Sequence, residues 1–423
     1  MSNLPIGKYR RGTSYKFDLP TIPTLTAQPR RAEIYQKQYH HDILVLEFSQ
    51  PADSWFEVVN TGVPVRFSWS QGPYSKTFYG YVSFLVRNAA GQIENTMEVH
   101  CVGTTFVLKS GVTKVFTNTT IPAVVKSIVT DYGFNFIGED DTRVFDQLTI
   151  AGHSWWEWIQ EQAKRIGYGV LVDGMNFYFR PMDALIDQGI TSVPVLSLST
   201  KETPINTQVL DRTLDSIRVL QGEHIEDADN LRAIKIASGV DPITGRFVRS
   251  EVSPAAVGSN IRSSVNDVLF SEYRSEQVVQ SNSSAISAAS GAATMARLNM
   301  PAKIKCQGDP RITPFHPVMI KGTGPQTDGY WIVKEVKHMF ARIGDYQIEM
   351  TAGTDGIGNN LVTATRQGTD TVVGMVNLDL AIANGVNMAA SGTDLVKLKL
   401  GSGDRNMTNQ GFSRTPATWV YGG

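Results

Sequence analysis

Three consecutive acidic residues, Glu139, Asp140 and Asp141, are the first candidates for chemistry in this chain. A pair of carboxyl groups can cleave a glycosidic bond when one acts as an acid and the other as a base or nucleophile. That chemistry needs a second carboxyl group across the bond, and no matching acid stands nearby in the sequence. The three residues also fall in a predicted loop, which favours a solvated turn over a catalytic pair.

Histidines and cysteines offer no better site. His40 and His41 precede a predicted strand, and adjacent strand residues point to opposite faces, so the two imidazoles are not expected to share a metal ion. Cys101 and Cys306 are far apart and fit buried thiols in a reducing compartment. The remaining histidines are scattered without metal-binding spacing: His100, His153, His224, His316 and His338. With no nucleophile motif either, we predict no catalytic, cofactor-binding or metal-binding residues and no enzymatic activity.

The segment GTGPQTDG, from Gly322 to Gly329, has a glycine spacing that resembles a phosphate-binding loop. It lacks the GK[ST] ending, lies between two predicted strands and opens no helix, so no helix dipole would face a phosphate. We interpret it as a hairpin loop.

The densest pattern is HSWWEWIQEQAKRIGYGVLVDGMNFYFRP, which starts at His153. Ser154 and Glu157 have the spacing of a capping box at a helix N-terminus. Gly167 stands where a left-handed residue would end the helix. One apolar face recurs at helical spacing and comprises Trp155, Ile159, Ala163 and Ile166. The pattern therefore predicts an amphipathic helix that ends at Gly167.

A β-hairpin is predicted directly after this helix, because Asp173-Gly174 separates two alternating segments. Trp155 and Trp158 are expected in the core. Trp156 points elsewhere, and its pattern leaves two interpretations: packing against a neighbouring segment, which the buried area of aromatic rings favours, or stacking on a ligand.

A similar helix is predicted upstream, where Thr120 can cap a run of apolar residues and Gly133 can end it. Pro122 is tolerated because it stands in the first turn. Only some 20 residues separate the two helices, so we expect them to pack together in one α/β region.

Length and composition bound the remaining possibilities. The chain has 423 residues, which predicts two to four domains, and its 41% hydrophobic and 19% charged content is that of a globular protein. A net charge of −1 gives no electrostatic reason to expect tight binding to DNA or to an acidic membrane. The N-terminus has no apolar signal region, and nowhere do 18 apolar residues run together, so we expect neither signal-directed export nor a membrane-spanning segment.

The order of elements predicts a mainly β protein with α+β parts. We assign an N-terminal arm (1–27), a first small antiparallel β-barrel (28–105), an α/β domain with two helices and a hairpin (106–205), a second β-barrel (206–237 with 303–355), an insertion (238–302) and a C-terminal extension (356–423). The arm has two interpretations: it is a solvated tail, or it contacts an acidic partner through Lys8, Arg10 and Arg11. In the extension only residues 395–400, LVKLKL, alternate like a strand.

The insertion contains a Ser/Ala-rich helix, SNSSAISAASGAATMARLN, which Pro301 ends. Its small residues, with Gly291 among them, would allow close packing against a neighbour, in this or another subunit. Exposure to solvent is the equally open alternative.

Three segments, in this order, resemble the phage baseplate hub proteins of the late-control protein D family. The first is Thr120-Ile-Pro-Ala-Val-Val followed by Tyr-Gly-Phe, and the second is the tryptophan-rich helix with the hairpin that ends in Phe-Arg-Pro. The third starts at Gly308 with GDPRITPFHPVMI and continues at Asp328 with DGYWIVKEVKH. The resemblance covers about residues 30 to 355. The family is in turn related to the hub part of contractile injection and type VI secretion spikes.

The resemblance implies a homotrimer in a tail or injection-particle baseplate, with two similar barrels per chain and therefore a pseudo-sixfold ring of six barrels. Such a ring would adapt a sixfold tail tube to a threefold spike around a channel through which DNA passes. The expected partners are the tail tube protein, the spike protein, baseplate wedge proteins and the tape measure protein, with DNA only in transit. The expected location is the tail baseplate of the virion, after synthesis in the host cytoplasm.

The sequence departs from the family in two respects. No repetitive β-helix follows the last predicted barrel, so we expect the spike to be a separate protein, and residues 356–423 match no part of the family. Two other functions stay open: a carbohydrate- or receptor-binding tail protein, and a tail-associated peptidoglycan hydrolase. For contacts with partners, Trp69, Trp156 and Trp331 are the candidate exposed aromatic residues.

Overall fold

The structure is a computed structural model that describes residues 13–22, 28–49, 55, 58–90, 94–111, 113–141, 144–190, 192–198, 212–219, 234–240, 245–252, 271–274, 282–295, 298, 300–324, 327–341 and 345–354. Its strands are β1 (Thr13–Asp18), β2 (Arg31–Lys37), β3 (Ile43–Ser49), β4 (Pro64–Gln71), β5 (Tyr74–Ala90), β6 (Glu94–Gly103), β7 (Lys114–Thr119), β8 (Asn135–Gly138), β9 (Phe145–Ile150), β10 (Tyr168–Asp173), β11 (Asn176–Pro181), β12 (Val195–Leu198), β13 (Arg212–Val219), β14 (Ile234–Val240), β15 (Phe247–Val252), β16 (Ser271–Arg274), β17 (Met300–Gln307), β18 (Pro317–Lys321), β19 (Gly329–Ala341) and β20 (Asp345–Thr354).

Four α-helices accompany these strands in the described part of the chain: α1 (Ile121–Asp131), α2 (Trp155–Ile166), α3 (Met182–Ile190) and α4 (Asn282–Met295). A short 3-10 helix, Thr104–Lys109, follows β6. The protein is thus mostly β with few helices, as the sequence predicts. The predicted C-terminal extension, including the alternating residues 395–400, lies outside the described residues.

The first β module, defined as β1 to β6, has the strand order β1-β4-β5-β6-β3-β2. Its strands alternate between apolar side chains that face the core and polar ones that face outward; in β3, for example, Leu44, Leu46 and Phe48 are buried. β1 lies in the stretch that the sequence assigns to an arm. It forms a strand because Phe17 is buried and every residue of β1 pairs with β4.

The second β module, defined as β12, β13 and β17 to β20, closes into a six-stranded barrel of order β12-β18-β19-β20-β17-β13, in which β13 returns to β12. Numbered from the first strand of each module, the two orders are the same: first, fourth, fifth, sixth, third, second. The fifth strand of each also carries one extra residue opposite the sixth, after Val82 in β5 and after Val333 in β19.

The prediction of two similar antiparallel barrels is therefore confirmed for one closed barrel and needs two corrections. In the first module β1 and β2 are not paired within the described residues, and β2 pairs instead with β19. In the second module β12 and β13 run parallel, from Leu196 opposite Arg212 to Leu198 opposite Leu214. The connection between β12 and β13 has 13 residues, which is long enough for a parallel pair, whereas a tight hairpin turn would give an antiparallel one.

The region between the modules holds the two predicted helices. Thr120 Oγ1 accepts a hydrogen bond from the amide of Ala123 and caps α1. Ser154 Oγ accepts from the amide of Glu157 at 3.2 Å and caps α2, while Gly167, at φ +74°, ends α2 in the left-handed conformation. β10 and β11 form the predicted hairpin, and β11 pairs on its other edge with β8 in parallel.

The Ser/Ala-rich helix α4 packs within its own chain. Its alanines at 285, 288, 289, 292 and 293 are buried. A Cβ atom at Gly291 would lie 2.0 Å from the carbonyl oxygen of Arg165, so only glycine allows this approach to the end of α2. The expectation of close packing is therefore confirmed. The neighbour lies in the same chain, and this face of α4 is not exposed to solvent.

The density of internal contacts divides the chain into two compact units: residues 1–255, 270–318 and 332–353, and residues 256–269, 319–331 and 354–423. In the described part of the second unit, the carboxylate of Asp328 accepts hydrogen bonds from the amides of Gly322, Thr323 and Gly324 at 2.8–3.2 Å. Trp331 Nε1 donates to the carbonyl oxygen of Thr327 at 2.9 Å. These bonds hold the segment from Gly322 to Gly329 as the predicted loop between two strands.

Candidate assembly interface

The two β modules meet at one strand. Residues Glu335–Ala341 of β19 pair antiparallel with the whole of β2, and the opposite edge of β19 pairs with β20. Ion pairs reinforce the joint on its outer face, with Lys37 3.2 Å from Glu335 and Lys337 3.0 Å from Glu33. The two modules are therefore joined by a continuous β-sheet and not only by contacts between side chains.

An aromatic cluster fills the space beneath this joint. Trp69 Nε1 and His338 Nδ1 lie 3.2 Å and 2.9 Å from the hydroxyl of Tyr346, and Phe340 stacks on Tyr346 with 4.4 Å between ring centroids. Phe67, from the first module, lies 5.5 Å from Phe340. Burial lowers the pKa of His338 to about 3, so this imidazole is neutral at physiological pH. The modules consequently share one core.

A groove of about 770 Å³ runs along the outer face of the joint. Its apolar wall includes Tyr35 and Ile43, which are 37% and 43% exposed. Its charged residues are the cations Lys37, Arg218, Lys303, Lys305 and Lys337 and the carboxylates Glu335 and Glu349. Lys37 and Lys305 pair with Glu335 and Glu349, and Lys337 pairs with Glu33.

A second polar cluster lies where the first module meets the hairpin β10–β11. Lys76 Nζ lies 2.9 Å from the carboxylate of Asp173, and nearby Gln36 Nε2 donates to the partly buried carboxylate of Asp42 at 2.7 Å. Burial raises the pKa of Asp42 to about 7, although the hydrogen bond from Gln36 opposes the rise. All four side chains line a cavity of about 30 Å³, which has room for one water molecule.

Trp156 packs between the first module and the hairpin β10–β11. Its ring stacks on His41 with 4.8 Å between centroids and meets the edge of Phe177 at 6.4 Å. His41 Nδ1 lies 2.7 Å from Thr105 Oγ1, and burial lowers the pKa of His41 to about 4. Packing, and not ligand stacking, accounts for Trp156.

An ion cluster joins the start of β13 to the segment between β17 and β18 in the second module. Asp309 is fully buried, and its carboxylate lies 2.9 Å from Arg212 Nε and 2.7 Å from Arg311 Nη2. The Arg311 guanidinium also lies 4.1 Å from the ring centre of Tyr74 in β5. Burial acts to lower the pKa of Arg311, but Asp309 holds it above its usual value. Sequence reading missed this cluster because Arg212 is almost a hundred positions from Asp309.

The prediction that Trp69, Trp156 and Trp331 are exposed is wrong. They are 3%, 4% and 0% exposed. Trp69 occupies an inward position in β4, whose burial alternates strictly, and that alternation was the signal that could have placed it.

The acidic triplet lies in a loop after β8, as predicted, but only in part as a solvated turn. Asp140 is exposed, while Glu139 pairs with Arg180 at 2.9 Å and Asp141 is buried. Cys101 and Cys306 are both buried thiols whose pKa is raised by burial, as predicted.

The described residues include neither a candidate metal site nor a candidate membrane span. No group of three or more His, Cys, Asp or Glu side chains there is placed to hold a metal ion. Nor does that part of the chain contain a helix of the length and hydropathy needed to cross a membrane.

Comparison with solved structures relates this fold to phage tail proteins. The 43 kDa tail protein of prophage MuSo2 from Shewanella oneidensis matches with a TM-score of 0.56 at 12% identity, over 81% of this chain and 98% of that one. The tail protein of Neisseria meningitidis MC58 matches with a TM-score of 0.55 at 11% identity, over 82% and 98%. At the level of fold, the resemblance to tail proteins is confirmed.

No protein-family model and no curated protein matches the chain.

Proposed function

We propose that this protein is the structural baseplate hub of a phage tail or of a tail-like injection particle, without enzymatic activity. The observation that carries the proposal is the doubled β module: one chain supplies two modules of the same strand order, joined through β19 and β2. Three such chains around an axis would present six similar modules to a sixfold tube and a threefold face to a spike.

The fold of two tail proteins supports the same function. In this proposal the homotrimer binds the tail tube protein on one face and the spike protein on the other, contacts baseplate wedge proteins at its rim and the tape measure protein at its channel, and lets DNA pass during ejection. The protein would be made in the host cytoplasm and reside in the tail baseplate of the virion. We also propose the predicted domain boundaries, with two changes: β1 moves from the arm to the first module, and β12 moves from the α/β domain to the second module.

Mass measurement of the purified protein at high concentration, followed by low-resolution imaging, tests the proposal. We expect a trimer that forms a threefold ring with six peripheral lobes around a channel. A monomer, or a trimer whose lobes do not surround a pore, would contradict it.

The two other functions make different predictions. A carbohydrate-binding tail protein needs exposed aromatic rings, and the three tryptophans that were predicted to be exposed are buried. A glycan array and deletion from the particle would test it, because a receptor-binding protein binds glycans and leaves the rest of the particle intact when deleted. A peptidoglycan hydrolase would clear wall material in zymography, whereas we expect no clearing.

A further inference from the structure

The repeat between the two β modules relates individual strands. By position in the strand order, β2 corresponds to β13 and β5 corresponds to β19. The extra residue in each fifth strand fixes the alignment of β5 with β19, because Phe84 and Glu335 are the first paired residues beyond it. Residues 84–90 of β5 therefore correspond to Glu335–Ala341 of β19, the seven residues that pair with β2.

The corresponding edges in the other halves of the modules have no such strand beside them in the described part of the chain. On the edge of β5 away from β6, β4 extends only to Tyr81. On the edge of β13 away from β17, β12 extends only to Leu214. Each of these strands thus continues past its neighbour, as β19 continues past β18 to reach β2.

The side chains on the β5 segment are exposed where those of the joint are covered. Phe84 is 50% exposed and Leu85 and Val86 are partly exposed, whereas Val336, which corresponds to Leu85, is 1% exposed. On β13, Ser216 is exposed. A strand edge with apolar side chains is a template for pairing with another chain unless something covers it.

We propose that β13 of one copy pairs antiparallel with residues 84–90 of β5 in the next copy, in the same way that β2 pairs with β19 within one chain. The inference rests on the proposed trimer and names the surface that builds it. Joints within and between chains would then alternate around the ring. The contact is head-to-tail, so three copies close into a ring only if one joint within a chain and one joint between chains together turn by a third of a circle.

Paired cysteines in the full-length chain test this joint. Phe84 and Val86 lie opposite His100 and Glu98 on the outer face of the sheet, and Ser216 lies opposite Lys305 on the outer face of the barrel. Directly opposed residues on neighbouring strands are close enough for a disulfide. Because the register is not fixed by the repeat, Ser216→Cys is combined with Phe84→Cys in one protein and with Val86→Cys in another.

The matched control combines Ser216→Cys with Leu85→Cys. Leu85 lies opposite Val99, whose side chain is buried, so it points to the inner face, and cysteines on opposite faces cannot be bridged. Background from the native thiols is expected to be low because Cys101 and Cys306 are buried. The three proteins are oxidised and separated on non-reducing gels, and the mass of the uncrosslinked wild type is measured in parallel.

The expected result is covalent trimer from at least one outward-facing pair and its loss in the Leu85→Cys control. A trimer by mass without a cross-link in either outward-facing pair, or with equal cross-linking in the control, would overturn the β13–β5 joint and leave the proposed function standing. A monomer by mass without a cross-link would count against both.

Discussion

The first and second β modules have the same strand order, and they differ in what separates and closes their strands. Residues 38–42 connect β2 to β3, whereas residues 220–299, which include β14 to β16 and α4, connect the corresponding strands β13 and β17. The second module closes on itself, and the first is completed by β19. An insertion of this length is tolerated because the entropy of closing a loop grows only slowly with its length. The two modules thus share their strand order, and whether a module closes depends on which of its edge strands pair with each other.

The largest expected effect comes from the buried charges of the second module. Replacing Asp309→Asn would leave Arg212 and Arg311, which are 8% and 14% exposed, without their counter-charge. Loss of one partner from a buried ion cluster costs about 3–5 kcal/mol of unfolding free energy. Chemical denaturation of the variant and the wild type measures the change.

The first module supplies the matched control. Asp18 in β1 pairs with Arg66 in β4 at 3.0 Å, but the arginine is 44% exposed. Asp18→Asn should cost at most about 1 kcal/mol, because water already screens the pair. Equal losses for the two variants would contradict the distinction between a buried cluster and a surface pair.

The next effect depends on pH and sharpens the difference between the fully buried Asp309 and the partly buried Asp42. Among the described residues Asp42 forms no ion pair, whereas Asp309 contacts two arginines, and burial raises the pKa of Asp42 to about 7. The folded protein therefore keeps this proton up to about pH 7 while the unfolded chain loses it near its ordinary pKa of 3.8. The sign follows: Asp42 makes the free energy of unfolding fall as pH rises between these two values, and the loss persists above them.

Asp42→Asn removes that titration, so we expect its melting temperature to match the wild type near the lower of these pH values and to exceed it above the upper one. Above the upper pH value, the free energy of unfolding of the variant should exceed that of the wild type by about 2–4 kcal/mol. His41, His316 and His338, whose pKa values are lowered by burial to about 4, 4 and 3, act in the opposite direction, but they are present in both proteins and cancel in the difference. Lys76 and Asp173 also face Asp42 and are unchanged. A difference that does not vary with pH would contradict the assignment.

Much of the fold follows from local patterns in the sequence. Ser154 and Gly167 bound α2, the Asp173-Gly174 turn joins β10 to β11, and alternation places β3 to β6. The parts that the sequence did not reveal depend on distant partners. β1 is held by β4, some 50 residues away, the closure of the barrel brings β12 to β18, and the acid that neutralises Arg212 comes from a different strand connection. Of the misplaced tryptophans, Trp69 follows the alternation of β4, which could have placed it, whereas Trp156 is covered by His41, which is distant in the sequence.

A smaller effect tests the insertion that distinguishes the second module. Gly291→Ala places a methyl group against the carbonyl oxygen of Arg165 and must push α4 away from α2, at a cost of about 1–3 kcal/mol. Ile286→Ala on the same helix is the control. Its side chain is 49% exposed, so the loss should stay within about 0.5 kcal/mol. Thermal unfolding followed by circular dichroism compares the two.

The smallest effect on folding is expected where the first module differs most from the second. Phe84 stacks on His100 with 4.2 Å between centroids but is 50% exposed, so Phe84→Ala should change the free energy of unfolding by no more than about 1 kcal/mol. In β19 the corresponding segment is covered by β2. Val336, which corresponds to Leu85, the neighbour of Phe84, is buried there, so Val336→Ala should cost more. If Phe84→Ala were as destabilising as Val336→Ala in the isolated chain, the β5 edge would already be covered within one copy, and the contrast between a completed joint and an open one would be lost.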